Sequence, residues 1–500
     1  MEIDADIIVV GSGNAALCAG ISGLGHGASV LMIEKAEESL AGGNSKYTAG
    51  AMRFVYNNND DLLPLLTNPD DPRLLNTDFG AYTATKFEED LLGFNDGRPL
   101  SKEQRDLIDQ SYDTMRWLAS HGITFEPIYE RQSFEKDGKH IFWGGLTLAA
   151  KGEGVGLVEA EIDVFQNKGG RIEYDAAMTQ LLVEDDRVVG IEVQNKAGVS
   201  RQLKAKAVIL GCGGFESSAE LRKKYIGPDW DKAKVRGTPH NTGDGLVQAF
   251  SLGAKEHGFY QGCHATPMDL HMKDFGNLDI PHFERKNYRK ICYFLGIMVN
   301  ADGQRFVDEG KDFRNYTYAQ FGRAVLEQPK HFAWQIFDSK VFDLLYGEYH
   351  FHDAHFVEAE TLDGLIEKLD GIDDKDAVRQ TIAQYNEAVD ADTAFDPTIK
   401  DGKGTVSLDL PKSNWAQTID KGPFRAYPVT GGITFTYGGV QVDDEGRVLR
   451  EDGSSVPGLY ACGEMVGSVF FNGYPGGSGL TSGAVFGRRA GKGAASEAPV

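Results

Sequence analysis

The hydrophobic pattern of the first 36 residues changes period twice. Residues 7–10 (Ile-Ile-Val-Val) form an unbroken apolar run, which predicts a strand buried on both faces of a parallel sheet. The run stops at Gly11, a helical pattern starts at Asn14, and a second apolar run over 29–33 ends at Glu34. The prediction is a βαβ unit.

Further along, residues 57–75 are rich in Asn, Asp and Pro and read as a loop, and 101–121 read as an amphipathic helix with Leu107, Ile108, Met115 and Leu118 on its apolar face. Leu157, Val158, Ile162 and Phe165 predict another helix, and 171–174 a strand. Residues 181–183 and 188–193 alternate around the turn 184–186, predicting a hairpin in a small antiparallel layer. Residues 206–215 re-enter the parallel sheet and end in glycines, as does the strand 456–464 before a helix at 484–495. From about 256 to 427 aromatics, histidines and charges mix, with amphipathic helices at 361–370 and 376–390. That stretch reads as an inserted domain. The expected fold is α/β, with 1–255 and 428–500 forming one discontinuous Rossmann-type domain and 256–427 an α+β insertion.

The turn between the first strand and helix has the G-x-G-x-x-A form. Gly11 permits the tight turn, Gly13 lets backbone approach a pyrophosphate, and Ala16 keeps the helix against the sheet. Free N–H groups near Asn14 and Ala15 then face the phosphates. Glu34, 23 positions after Gly11, is placed to accept from a ribose hydroxyl and to repel a 2′-phosphate; Lys35 follows it. The small-residue loop Ala41-Gly42-Gly43-Asn44-Ser45 favours an extended FAD over NAD. Gly211, Cys212, Gly213, Gly463 and Glu464 close the strands beside the dinucleotide, and the glycine-rich stretch holding Gly477, Gly479 and Leu480 aims N–H groups at a second anionic place such as the flavin ring. Asp244 either caps its helix, the favoured reading, or faces the cofactor. Lys46 and Arg53 are cations just beyond it.

The net charge of −23 argues against nucleic acid as a partner. Five scattered cysteines without a C-x-x-C pair indicate reduced, cytoplasmic usage and place any iron–sulfur centre on a separate redox partner. No apolar stretch is long enough to span a bilayer. His350, His352, Asp353 and His355 are crowded, but they lack a metal-site pattern and read as a surface loop.

Several motifs together resemble the fumarate reductase and succinate dehydrogenase flavoprotein superfamily, which includes 3-ketosteroid dehydrogenases. They are Gly42-Gly43-Asn44-Ser45, Arg236-Gly237-Thr238-Pro239-His240-Asn241-Thr242-Gly243, Gly262-Cys263-His264, Arg305-Phe306-Val307-Asp308-Glu309, Arg314-Asn315-Tyr316-Thr317-Tyr318 and 432–439. Within the superfamily the likeness is greatest to the tricarballylate dehydrogenase branch. The resemblance implies an FAD domain with an inserted capping domain, substrate held between them, and removal of vicinal hydrogens beside a carboxylate or carbonyl, one as hydride and one as a proton.

It also implies Arg314 as the proton-transfer group, adjusted by a relay through Glu309 or replaced by Tyr316, Tyr318 or Tyr474, and His264 as a substrate ligand. Lys46, Arg53, His264, Arg314, Thr430 and Gly477 are the substrate-binding candidates. Two departures stand out. Tyr427-Pro428-Val429-Thr430 replaces the family's paired histidines before Gly431-Gly432, and Gly473-Tyr474-Pro475-Gly476 is similar to the ketosteroid dehydrogenases. The covalent FAD tether of the membrane-bound enzymes has no histidine at 37–40, so FAD is expected to be non-covalent. Alternatives are an enone or ketosteroid dehydrogenase, a fumarate reductase-like enoate reductase, an electron-transfer flavoprotein subunit, or a non-redox flavoprotein.

Overall fold

The computed structural model describes residues 3–497, which divide into two compact units. One takes the described residues of Met1–Gly227, Gly237–Cys263 and Phe435–Val500, the other Pro228–Arg236 and His264–Thr434.

In the first unit the strands β1 (Ala5–Val10), β2 (Val30–Ile33) and β3 (Arg171–Glu173) run parallel, and β4 (Ala176–Glu184), β5 (Arg187–Asn195) and β6 (Ser200–Leu210) extend the same sheet in the order β4-β5-β6-β1-β2-β3. β7 (Ser455–Ala461) pairs parallel with β6 on its other flank. The hairpin β4–β5 is therefore part of the main sheet and not a separate layer. β6 is long enough to serve both parts: residues 200–204 pair antiparallel with β5, and Ala205 onwards pairs parallel with β1.

Every residue of β2, and every residue of β1 except Asp6, is buried, as a strand covered on both faces must be. Helix α1 (Asn14–Gly25) covers the sheet next to α2 (Glu153–Asn167) and α3 (Ser478–Ala495). α3 begins six residues before the helix read from the sequence. Its early glycines look like loop, yet packing overrides their poor propensity, because a Cβ on Gly487 would lie 2.3 Å from the Ala15 carbonyl oxygen and one on Gly491 2.1 Å from that of Ala19. Only bare backbone lets the two helices approach so closely. The 57–75 stretch is three short 3-10 turns and not a plain loop. The helix Lys102–Ser120 starts on a capping box between Ser101 and Gln104.

The second unit is built on a mixed sheet. Strand Phe424–Thr436, of which 424–434 belongs here, pairs antiparallel with Phe332–Asp338, which pairs in turn with Ile297–Asn300. Two apolar clusters cover it, one around Tyr293, Phe321, Phe337 and Trp415, the other around Ile297, Trp334, Ile382 and Ala426. Among the described residues, no helix is long and apolar enough to cross a membrane, and no His, Cys, Asp and Glu cluster could hold a metal. His355 of the crowded histidine loop bonds to the carboxylate of Asp269 at 3.0 Å.

Candidate active site

In the first unit the parallel strands end together at Gly11, Glu34 and Gly211. The ladder continues through them, Gly11 N–H to the Ile33 oxygen and Gly211 N–H to that of Val10. Gly11 has φ +104°, and a Cβ there would sit 2.5 Å from the Gly211 oxygen, so only glycine fits this turn. Over these carboxyl ends lies a cleft with about 880 Å³ of empty space, part of it open to solvent. Its walls hold Gly11, Gly13, Asn14, Ala15, Glu34, Lys35, Gly43, Asn44, Ser45, Gly211, Cys212, Gly213, Asp244 and Glu464, all of them candidates named from the sequence. Ala16 lies beneath, close enough that a Cβ on Gly211 would be 2.9 Å from its own.

Hydrogen bonds fix the loops around the cleft. Asn14 N–H donates to Ser45 Oγ at 3.0 Å, and the Asn14 amide donates to the Leu480 carbonyl at 2.8 Å. Glu34 accepts from Ser12 Oγ at 2.5 Å and from Ala36 N–H at 2.7 Å. Gly42 (φ +107°) donates to Ser12 Oγ, and its lack of a side chain leaves room for the stem of Lys46. Asp244 does not cap its helix, since Gly243 takes the cap position. Its carboxylate pairs with Lys35 at 2.8 Å, because the first-turn geometry turns it toward that ammonium.

Two further first-unit residues differ from expectation. Arg53 is fully buried and spends Nε and Nη1 on the carbonyls of Gly476 and Gly144, both at 2.7 Å, while stacking over Tyr82. It clamps backbone where a substrate cation was expected. Gly477 (φ +88°) is the cap of α3, and a Cβ on it would meet Leu146 at 2.5 Å. Tyr474 is buried edge-on against Phe435 and Phe470, with centroids 5.4 and 5.2 Å away, and Gly479 borders the same group.

In the second unit, Arg314 opens the helix Arg314–Leu326. Its Nε donates to Tyr346 Oη at 3.0 Å, and its guanidinium lies 4.5 Å over that ring. Nη2 is sealed from solvent and has no hydrogen-bond partner among the described residues. Burial, the largest influence, opposes the charge, but Tyr346, Cys292 and Glu348 together outweigh it and raise the Arg314 pKa above its ordinary value. Glu309 is not its relay. Glu309 is fully buried and is bound by Arg305, four residues before it in a non-helical loop, and by Met298 N–H.

His264 is buried edge-on against Tyr318 at 4.9 Å, and burial, with Arg236 and Arg289 nearby, pushes its pKa well down, so the imidazole is neutral. Thr430 uses its hydroxyl on the His331 carbonyl at 2.7 Å, which leaves it a structural role in its strand. Tyr346 was missed. It sits in no motif, 32 positions from Arg314, and periodicity carries no signal for it.

The chain matches the FAD binding domain family over residues 6–480. It belongs to that family. It is 30% identical over 502 residues to the fumarate reductase (cytochrome) of Shewanella frigidimarina, covering 98% of this chain and 77% of that one. It is 29% identical over 432 residues to the 3-oxosteroid 1-dehydrogenase of Mycolicibacterium smegmatis, covering 79% and 70%. The solved open conformation of a flavocytochrome c3 fumarate reductase shares the fold, with a TM-score of 0.73 at 24% identity over 99% of this chain and 78% of that one.

FAD is the cofactor of this family member, and the first-unit cleft fits it. The turn at Gly11 excludes a Cβ, the walls are glycine-rich, and Glu34 stands at the end of β2 for a ribose. Gly11, Gly13, Asn14, Glu34, Ser45 and Glu464 are the residues that would hold it.

Proposed function

We propose that this protein is an FAD-dependent oxidoreductase of the CH–CH group acting beside a carboxylate, with small tri- and dicarboxylates of the tricarballylate type as its substrates. Bound FAD supplies the two-electron exchange with the carbon pair. Arg314 supplies the proton. Its Nη2, sealed from solvent and without a hydrogen-bond partner among the described residues, is the observation that carries the reading, because a buried guanidinium N–H is costly until an anionic or carbon acceptor meets it.

With its pKa held high, Arg314 works as a donor, which suits reduction of a C=C bond; Tyr346 fixes the direction in which Nη2 points. Neutral His264 donates to or accepts from a substrate oxygen. Tyr318 and Tyr474 are the remaining candidates for proton exchange in the dehydrogenase direction. FAD is held without a covalent tether, and a separate electron carrier completes the cycle, since the chain has no cysteine cluster for a redox centre of its own. A second reading, a ketone or enone substrate, is favoured by the aromatic enclosure of Tyr474, whose hydroxyl would bind the carbonyl.

Anaerobic mixing separates the readings. The yellow protein is mixed with tricarballylate, succinate and a 3-ketosteroid, and the photoreduced protein with fumarate and a tricarboxylic enoate, while flavin absorbance is followed. Change with the acids in either direction supports the proposal. Bleaching by the ketosteroid alone overturns it in favour of the carbonyl reading, and no response to any of them overturns both.

A further inference from the structure

Glu216 lies just beyond β6, fully buried and outside the cleft wall, yet it binds three chain segments that form that wall. Its Oε1 accepts from Asn44 Nδ2 and from Asn241 Nδ2, each at 2.6 Å. Asn44 is held from its other end by Thr238 N–H at 2.8 Å, and the Asn241 carbonyl accepts from Ser217 N–H at 2.9 Å. The other carboxyl oxygen, Oε2, is buried without a partner among hydrogen bonds to the described residues. The remaining neighbour is the carboxyl of Glu464, whose Oε1 accepts from Thr436 N–H at 2.6 Å and Thr436 Oγ1 at 2.9 Å. Gly214 makes this approach feasible, for a Cβ there would lie 2.3 Å from Glu464 Oε1 and 2.1 Å from Thr436 Oγ1.

Among the described residues, no cation is ion-paired with either carboxyl group. Arg222 gives its guanidinium to the backbone carbonyl of Glu216, and His240, beside Asn241, has its own pKa lowered by burial. Lys35 is paired with Asp244 elsewhere on the cleft. Two carboxylates in a buried place without a counter-charge cannot both ionise. Burial and the facing Glu464 push the Glu216 carboxyl well above its ordinary range, and burial raises Glu464 as well.

We infer that Glu216 is a positioning residue for FAD: it stays a neutral acid, donates its proton from Oε2 to Glu464, and thereby fixes Glu464, Asn44 and Asn241 as one polar wall toward the cofactor. Glu464 is the anionic member and faces the cleft as an acceptor for cofactor hydroxyls. The inference rests on FAD as the cofactor and not on the proposed substrate. Raising the pH until Glu216 ionises removes the proton it donates to Glu464, puts a second charge in the wall and drives the two carboxylates apart, while the asparagine amides stay on Glu216 Oε1.

The test is the rate of FAD release from the holoprotein on ultrafiltration, followed by flavin absorbance between roughly pH 6 and pH 9. The wild type is expected to release FAD faster as pH rises. Glu216→Gln keeps an acceptor for the asparagines and a donor for Glu464, so it should retain FAD with no pH dependence. Glu216→Ala should release FAD about tenfold faster or more at every pH. A Glu216→Gln profile that follows the wild type, or an Ala variant that retains FAD like the wild type, overturns the inference. Should the Ala variant fail to fold by circular dichroism, the Gln profile against the wild type decides alone. None of these readouts depends on turnover, so failure here is distinct from failure of the substrate reading.

Discussion

Asn14 Nδ2 donates to the carbonyl of Leu480 at 2.8 Å, tying the first turn of α1 to the first turn of α3 across 466 positions of sequence. The same pair of helices shares the Gly487–Ala15 approach and the bond from Ser22 Oγ to the Arg488 carbonyl at 2.7 Å. α3 thus holds α1 from its first turn to its last turns.

Gly487→Val should therefore destabilise the first unit by about 1–3 kcal/mol, since the new side chain meets helix backbone that cannot rotate away. Thermal unfolding and the flavin-to-protein absorbance ratio would both fall. An unchanged unfolding temperature would show that the helices are further apart than described.

Arg53→Met should cost about 3 kcal/mol or more in stability. It strands two buried carbonyls and removes the guanidinium that lies 3.9 Å from the Asp90 carboxylate. The KM of the folded fraction should stay as in the wild type. A raised KM with unchanged stability would restore Arg53 as a substrate cation.

Arg314→Lys should lower kcat by about 10²–10⁴ with FAD retained, because an ammonium puts all its donors on one nitrogen and lacks the rigid fork that presents Nη2 while Nε holds Tyr346. Tyr346→Phe should cost about tenfold, since it removes the phenol that orients the guanidinium but not the proton itself. Single-turnover flavin reoxidation measures both.

Glu161 gives a pH signature. It is fully buried on α2, near Cys18 of α1, and burial raises its pKa well above the ordinary carboxylate value. The folded state then binds more protons than the unfolded chain between about pH 4.5 and the raised value, so stability is greatest below that window and falls as pH climbs through it. Glu161→Gln removes this loss. Its unfolding temperature should exceed that of the wild type by more at pH 8 than at pH 5, and a constant offset would refute the assignment.

The local signals of the cofactor cleft were legible because they are made of consecutive residues. An apolar run, two spaced glycines and a terminal acid mean the same thing wherever the chain places them. Arg53 and Arg314 look alike in sequence, however, and only tertiary structure shows that one gives its Nε and Nη1 to backbone carbonyls while the other gives its Nε to the Tyr346 phenol. Asp244 was ambiguous for the same reason, its true partner Lys35 lying 209 positions away. Glu309 looked like a partner for Arg314 through the motif. Yet Arg305, in the same motif, is nearer in the folded chain and satisfies it first. The early start of α3 was hidden because glycine frequency signals loop, whereas here the glycines are the contact surface.

α3 is synthesised after every other helix described, yet it covers α1, the first to be made. A nascent chain on the ribosome therefore exposes the small-residue face of α1 until nearly all of the first unit has emerged, and Asn14 lacks its acceptor until then. The first turn of α1 thus gains its support from α3 only once residue 480 has been made.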